Sequence, residues 1–386
     1  MLAREKVYGK INFLILLFDK GLFVNSLIMR IVLISTPIGF LGSGKGGGVE
    51  LTLNSLVSGL ISLGHSVEIV APKNSNLHES NVKAKLHFVE GENQISWQHQ
   101  DYNSPVIIPD NSLLAGMLEK GLDIAKNADV LLNMSYDWLP IWMTLNIEIP
   151  IAHLISMGSE SSVISNLISK VYAKYPNNFA FHSKVQANDY PFIKKPTIIG
   201  NGFNLNNYTF QESVKGPLAW VGRVAPEKGL EDAVYVANEL GEKLKVWGFI
   251  EDEIYASKVE KSFPQGAIDW MGFLSTDELQ KELGKCRGLL NTPKWNEAYG
   301  NVIVEALACG VPVIAYKRGG PSEIIQHGQT GYLVNPDDKE TLLYYGKIIE
   351  KINRKNCREW VEKNASADKF ANKVVNWLNK VIVEYK

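Results

Sequence analysis

The chain of 386 residues has only three cysteines, Cys286, Cys309 and Cys357, far apart and odd in number. That excludes a disulfide framework and a paired-cysteine metal spacing, and it fits a reducing, cytoplasmic compartment. Cys309 lies in an apolar run, where a buried, inert thiol is expected rather than a nucleophile. An excess of one charge is also lacking. Lys and Arg total 40 against 41 Asp and Glu, a net charge of −1, so the chain as a whole has no basic footprint for nucleic acid. Long hydrophobic runs are missing as well. The apolar stretch Ile11–Phe18 (INFLILLF) stops at Asp19-Lys20, far short of the roughly 20 residues a membrane-spanning helix needs. The surrounding residues 1–28 have no clean small-residue cleavage site. They read as an N-terminal extension, or the product of an upstream start, ahead of a first strand opened by Met29; an interfacial anchor is the alternative.

What is present is a repeated alternation of strand and helix. Arg30–Thr36 (RIVLIST) is the short β-branched apolar run of a strand buried in a parallel sheet. After a glycine-rich loop, apolar residues at 53, 56, 57, 60 and 63 mark a helix that stops at Gly64, and Ser66–Ala71 is the next strand, which completes a βαβ unit. Further strands are expected at Lys85–Val89, Val130–Met134 and Pro150–Ser156, with a helix near Leu113–Lys126. A second βαβ series starts at Leu218. The expected architecture is therefore α/β, with two Rossmann-like doubly wound domains facing across a cleft: 29–205, then 206–364. An amphipathic helix, 365–386, carries Phe370, Val374, Val375, Leu378 and Val381 on one side and is expected to cross back to the first domain.

Residues 39–45 (GFLGSGK) match the phosphate loop of nucleoside triphosphatases up to its last position, where the hydroxyl that would hold Mg²⁺ is replaced by Gly46. The strand VEIVAP also ends without an acid, so a P-loop enzyme is disfavoured. The glycines Gly47 and Gly48 open the following helix, where backbone N–H groups can approach a ligand closely. That makes the loop a closing lip over the cleft, with Lys45 a loop residue rather than a phosphate clamp.

The densest chemistry lies in 291–325. Gly300-Asn301 starts a helix whose free N–H groups, from about Tyr299 to Val302, suit an anion. Glu297 and Glu305 bracket them, eight residues apart. Carboxylates would repel the anion and so are expected to bond hydroxyls. A ligand with both phosphates and hydroxyls, such as a sugar nucleotide, satisfies both sets. Capping of the helix is the plainer reading, tolerable for Glu297 and poor for Glu305.

This E-x7-E stretch, with "AYGNVIVEALACGVPVIAYKRGGPSEII" around it, resembles the signature of retaining glycosyltransferases of family 4, which have the GT-B architecture. The resemblance runs from Met29 onward and takes in GGGVELTLNSLVSGLISLGHSVEIVAP, IIGNGFN, WVGRVAPEKGLEDAV and IDWMGFLSTDEL. It implies that Arg223 and Lys228, after Gly222, neutralise a nucleotide diphosphate; the plainer reading is a surface salt bridge of Lys228 with Glu227 or Glu231. It implies that Glu297 touches the donor sugar and Glu305 the ribose. Backbone groups of Ala298, Tyr299, Gly300, Asn301 and Val302 would hold sugar and β-phosphate. Met271, Gly272, Phe273 and Leu274 would flank the base, with core packing the equal competitor for Phe273. The family often has a histidine near the donor sugar. Here the only histidine near that strand end is His153, mid-strand and expected in the core, so Ser156, Met157 and Gly158 are candidates to replace it. Tyr136, Asp137 and Trp138 are candidates for an acceptor sugar, or an ordinary turn.

The resemblance implies a hexosyltransferase moving glucose from UDP-glucose to a hydroxyl of a saccharide or lipid-linked saccharide, with retention, in exopolysaccharide or glycolipid synthesis. No cofactor beyond the sugar nucleotide is expected. There is no D-x-D, so a metal-independent reaction is expected, with the two cations in place of a divalent ion. Peripheral contact with the inner membrane face is compatible with the apolar start of the chain. The rival readings are a sugar-nucleotide epimerase of the same fold and a non-catalytic sugar-nucleotide-binding protein.

Overall fold

The computed structural model describes residues 28–43, 47–77 and 83–385. The expected extension up to residue 27 and the loop residues Gly44-Lys45-Gly46 lie outside the described residues.

Two separate parallel sheets organise the chain. The first contains β1 (Arg30–Ile34), β2 (Ser66–Pro72), β3 (Lys85–Val89), β4 (Val130–Asn133), β5 (Ile151–Ile155), β6 (Phe179–Phe181) and β7 (Thr197–Ile198), in spatial order β3-β2-β1-β4-β5-β6-β7. The second contains β8 (Leu218–Val221), β9 (Leu244–Trp247), β10 (Ile268–Gly272), β11 (Gly288–Asn291), β12 (Val313–Tyr316) and β13 (Gly331–Val334), in order β10-β9-β8-β11-β12-β13. Every residue of β4, β5 and β12 is buried, as the continuous apolar runs require when helices cover both faces of a parallel sheet. In each half the order reverses beside the first strand, and such switch points open a crevice at the carboxyl ends of the strands.

Two elements escape the sequence pattern. The three-residue strand β6 and the helix Ser162–Lys174 before it are, respectively, too short and too polar on its outer face for periodicity to register. The segment after β4, where a turn was expected, becomes the short helix Trp138–Met143. Pro140 falls in its first turn, where the missing N–H costs nothing.

The C-terminal helix Ala367–Glu384 runs back onto the first half. Phe370, Ala371, Val374, Leu378 and Val381 share a core with Leu53, Leu56, Val57 and Leu60 of the helix Gly48–Ser62. Paired backbone hydrogen bonds fix its start, Phe203 N–H to Ala365 O and Ala367 N–H to Phe203 O, both 2.9 Å. Past its midpoint the Trp377 indole donates to Asn177 O at 2.6 Å. Among the described residues, no helix is long and apolar enough to cross a membrane.

Candidate functional site

The carboxyl ends of both sheets open on one cleft, a cavity of about 800 Å³. Thr36 follows β1, Tyr136 β4, Ser156 β5, Gly222 β8 and Gly248 β9, and all line it. The cleft gathers nearly every residue singled out from the sequence: Gly47, Gly48, Tyr136, Asp137, Ser156, Met157, Gly222, Arg223, Lys228, Phe273, Leu274, Glu297, Ala298, Tyr299, Gly300, Asn301, Val302 and Glu305. Trp138, Met271 and Gly272 are the exceptions: Trp138 opens the short helix after β4, Met271 and Gly272 end β10, and none of the three is on the wall. Phe273 is 59% exposed, so core packing is not its role.

The cationic pair comes from the loop after β8. Arg223 donates to Glu227 at 3.0 Å and closely to Glu251, which follows β9. Lys228 forms a close ion pair with Glu297, 69 residues away, and lies 4.6 Å from the centre of the Trp295 ring. The plainer reading, a surface bridge of Lys228 with Glu227 or Glu231, does not hold: Glu227 is taken by Arg223, and Lys228 reaches across to the loop after β11. Glu297 also accepts the Trp295 indole N–H at 2.8 Å. Burial pushes the Glu297 carboxyl up, but the charge and hydrogen bonds of Lys228 outweigh it and hold Glu297 below the usual range. Its carboxylate points to Lys228, so helix capping is not its role.

The helix Asn301–Ala308 starts at Gly300, whose φ of 107° is closed to most side chains. The first bond there is Ile303 N–H to Gly300 O at 3.0 Å, so the preceding amides end at the cleft, as helix geometry dictates. Glu305, one turn in, accepts from the Tyr208 hydroxyl at 3.3 Å. Burial raises its carboxyl from 4.5 to about 7.

The two halves meet around this helix start. Asn301 donates to Gly48 O at 3.1 Å and accepts from Asn201 at 2.7 Å, while Asn201 also donates to Thr52. A Cβ at Gly48 would lie 2.6 Å from Asn301 Nδ2, so a side chain there would displace the Asn301 amide that bridges the two halves. The Ser183 hydroxyl donates to Ala298 O at 2.7 Å, and Glu323 accepts the amides of Lys184 and Val185.

His153 is fully buried in β5 between Asn133 and Thr144, and burial lowers it to about 3, a core histidine. Two histidines line the cleft, His99 and, directly after β6, His182, and sequence reasoning missed both. The Nδ1 of His182 faces Gly200 O at 2.8 Å and therefore carries the proton, leaving Nε2 as an acceptor. Burial lowers it to about 4. The signal was a histidine directly after the apolar run Phe179–Phe181. Of the groups expected to stand in for it, Ser156, Met157 and Gly158 do line the cleft. The Gly158 carbonyl, however, is already held by Tyr136 at 3.0 Å and Tyr190 at 2.7 Å.

Residues 215–373 match the family described as Glycosyl transferases group 1. Among curated proteins, an uncharacterized glycosyltransferase of Methanocaldococcus jannaschii is 28% identical over 254 residues, 61% of this chain and 70% of its own length. A sulfoquinovosyl transferase of Arabidopsis thaliana is 36% identical over 153 residues, 37% of this chain but only 29% of its own length. Among solved structures, HepE of Anabaena in complex with UDP and glucose superposes with a TM-score of 0.71, covering 91% of this chain and 99% of that one at 16% identity. At that identity the likeness speaks for the fold.

Proposed function

We propose that this chain, a glycosyltransferase of the GT-B superfamily, is a retaining, metal-independent member of the E-x7-E family 4. In this reading it transfers a hexose, glucose first, from a UDP-sugar to a hydroxyl acceptor in polysaccharide or glycolipid synthesis. The observation that carries the reading is the convergence of Arg223, Lys228, Glu297, Glu305 and the Gly300 helix start on one cleft. Support for UDP and glucose comes from HepE, whose structure holds both.

In this reading the amides at the helix start and the two cations bind the diphosphate. Breaking the bond between sugar C1 and the β-phosphate oxygen builds negative charge on that oxygen, which Arg223 and Lys228 stabilise in the cleft. Lys228 has three N–H donors, so it can keep Glu297 and bind phosphate at once. Glu297 takes sugar hydroxyls and Glu305 the ribose hydroxyls. The acceptor hydroxyl attacks C1 from the face the phosphate leaves, and its proton passes to the departing phosphate oxygen, so no dedicated protein base is required. Phe273 and Leu274 flank the base. Residues 29–205 form the acceptor half and 206–364 the donor half.

A thermal-shift screen with UDP-, GDP- and ADP-glucose tests the donor: a rise in Tm with UDP-glucose above the other two is expected, and no rise with any of the three would overturn the reading.

A further inference from the structure

The loop after β11 is fixed along its main chain, and one of its side chains, Trp295, has no part in the reaction proposed above. Near the loop's start the Thr292 hydroxyl donates to Gly229 O at 2.7 Å and the Lys294 N–H to Glu227 O at 2.8 Å, which stitches it to the loop after β8. The Lys294 ammonium closes on Asp232, a fully buried carboxylate that also accepts from the Tyr316 hydroxyl at 2.8 Å and pairs with Lys339 at 2.8 Å. Further on, Glu297 O accepts the Gly320 N–H at 2.7 Å, and a Cβ at Gly319, whose φ is 75°, would run into that same carbonyl. The backbone of Glu297 is thus set from both sides, and what remains to be set is the direction of its carboxylate.

Trp295 lines the cleft and is half-buried. Its indole N–H donates to Glu297 Oε1 at 2.8 Å, the oxygen that also takes the Lys228 ammonium. Two donors on one oxygen leave Oε2 without a partner among the described residues, on a side chain that lines the cleft and is 14% exposed. The two donors differ in kind. An ammonium on a four-carbon stem is a mobile point charge, drawn toward any anion within reach. In the transferase reading Lys228 also serves the departing phosphate. The indole N–H is a neutral donor on a rigid ring, and nothing in a diphosphate draws it away from a carboxylate at hydrogen-bond distance. The same ring lies with its centre 4.6 Å from the Lys228 ammonium, a cation–π contact that holds the stem beside it.

We infer that Trp295 is a positioning residue: it keeps one oxygen of Glu297 aimed at the donor sugar while Lys228 is drawn to the phosphate. This rests on the transferase reading above and deepens it, because sugar and diphosphate are then read by separately held groups. The test is calorimetry of UDP and of UDP-glucose on the full chain. Trp295→Phe keeps a ring face for Lys228 and removes only the N–H. It is expected to weaken UDP-glucose about tenfold, the worth of a hydrogen bond to a charged group. UDP, which has no sugar, should change by less than about twofold, since a ring still faces Lys228. In a Glu297→Ala background the same substitution should weaken UDP-glucose no further, because Trp295 acts through that carboxylate. An unchanged UDP-glucose affinity in Trp295→Phe, an equal loss for UDP and UDP-glucose, or a full further loss in the Glu297→Ala background would overturn the inference and leave the donor reading intact. Failure of the wild type to bind either ligand would overturn the donor reading instead.

Discussion

On the proposed reading, Glu305 ties nucleotide binding to a proton. Its carboxyl has one hydrogen-bond partner among the described residues, Tyr208, and burial pushes it up from 4.5 to about 7. At pH 6.5 a group of that pKa is about three-quarters protonated. Two vicinal ribose hydroxyls donating to its oxygens would favour the charged form and return the carboxyl toward its ordinary range. Binding of UDP at pH 6.5 should therefore release about 0.7 of a proton, falling to about 0.1 at pH 8, where the group is already ionised. Calorimetric titration of UDP in buffers of different ionisation enthalpy reads this number directly. Glu305→Gln should bind UDP without releasing it. The same group gives a second readout of defined sign. Between pH 4.5 and about 7 the folded protein holds a proton that the unfolded chain has lost, so stability falls as pH rises across that window. The variant should lack this slope and gain on the wild type by roughly 3 kcal/mol from pH 4.5 to pH 8, measured by urea unfolding. Release of no proton, or an equal release by the variant, would refute the assignment of Glu305 to the ribose.

Lys228→Ala should reduce turnover on the order of 10²–10³-fold and lower stability by about 2 kcal/mol by stranding Glu297, less than for a fully buried pair because both groups border cleft water. Lys228→Met combined with Glu297→Gln should restore Tm but not turnover, measured by calorimetric scans and UDP release. Gly59→Leu should lower Tm by an equivalent of about 1–3 kcal/mol, because a Cβ there would lie 2.6 Å from Ala367 O and 2.7 Å from Ala371 Cβ, wedging the C-terminal helix off the first half. Anomeric NMR of the product should show retained configuration; an inverted linkage would remove this chain from the retaining family.

The fold was legible wherever hydrophobic periodicity was long. Strand β1 is a β-branched apolar run, β2 and β3 place apolar residues around a single interior polar one, Glu68 and His87, and the helices at 48–62 and 113–125 carry 3.6-period apolar residues; their expected positions differ from the observed ones by no more than a residue or two. Strand β6 was not legible, because three residues cannot display a period. Tertiary pairing with β5 and β7 makes it a strand. His182 was missed for the same reason: a residue at a strand end can be placed on a cleft only once the strand itself is known. The ordered motifs of 222–228 and 297–305 were legible because each combines a strand end, a glycine and a charge within a few residues.

What sequence spacing could not give was the pairing of those charges. The plainer alternative for Lys228 looked only to its chain neighbours Glu227 and Glu231, yet its partner, Glu297, comes from the loop after β11, two strand ends brought together by the pairing of β8 with β11. The consequence is electrostatic. Arg223 is flanked by Glu227 and Glu251, and Lys228 by Glu297, so the cationic pair is not an open positive well that any anion could fill. A diphosphate that reaches Arg223 shares it with the carboxylates of Glu227 and Glu251, whose charge opposes the anion, so charge alone supplies little net binding. On the proposed reading, discrimination then rests on contacts that only a sugar nucleotide can add, namely sugar hydroxyls at Glu297, ribose hydroxyls at Glu305 and the base at Phe273. Free phosphate and pyrophosphate are left weak competitors in a cleft that nonetheless holds both cations where the departing charge appears.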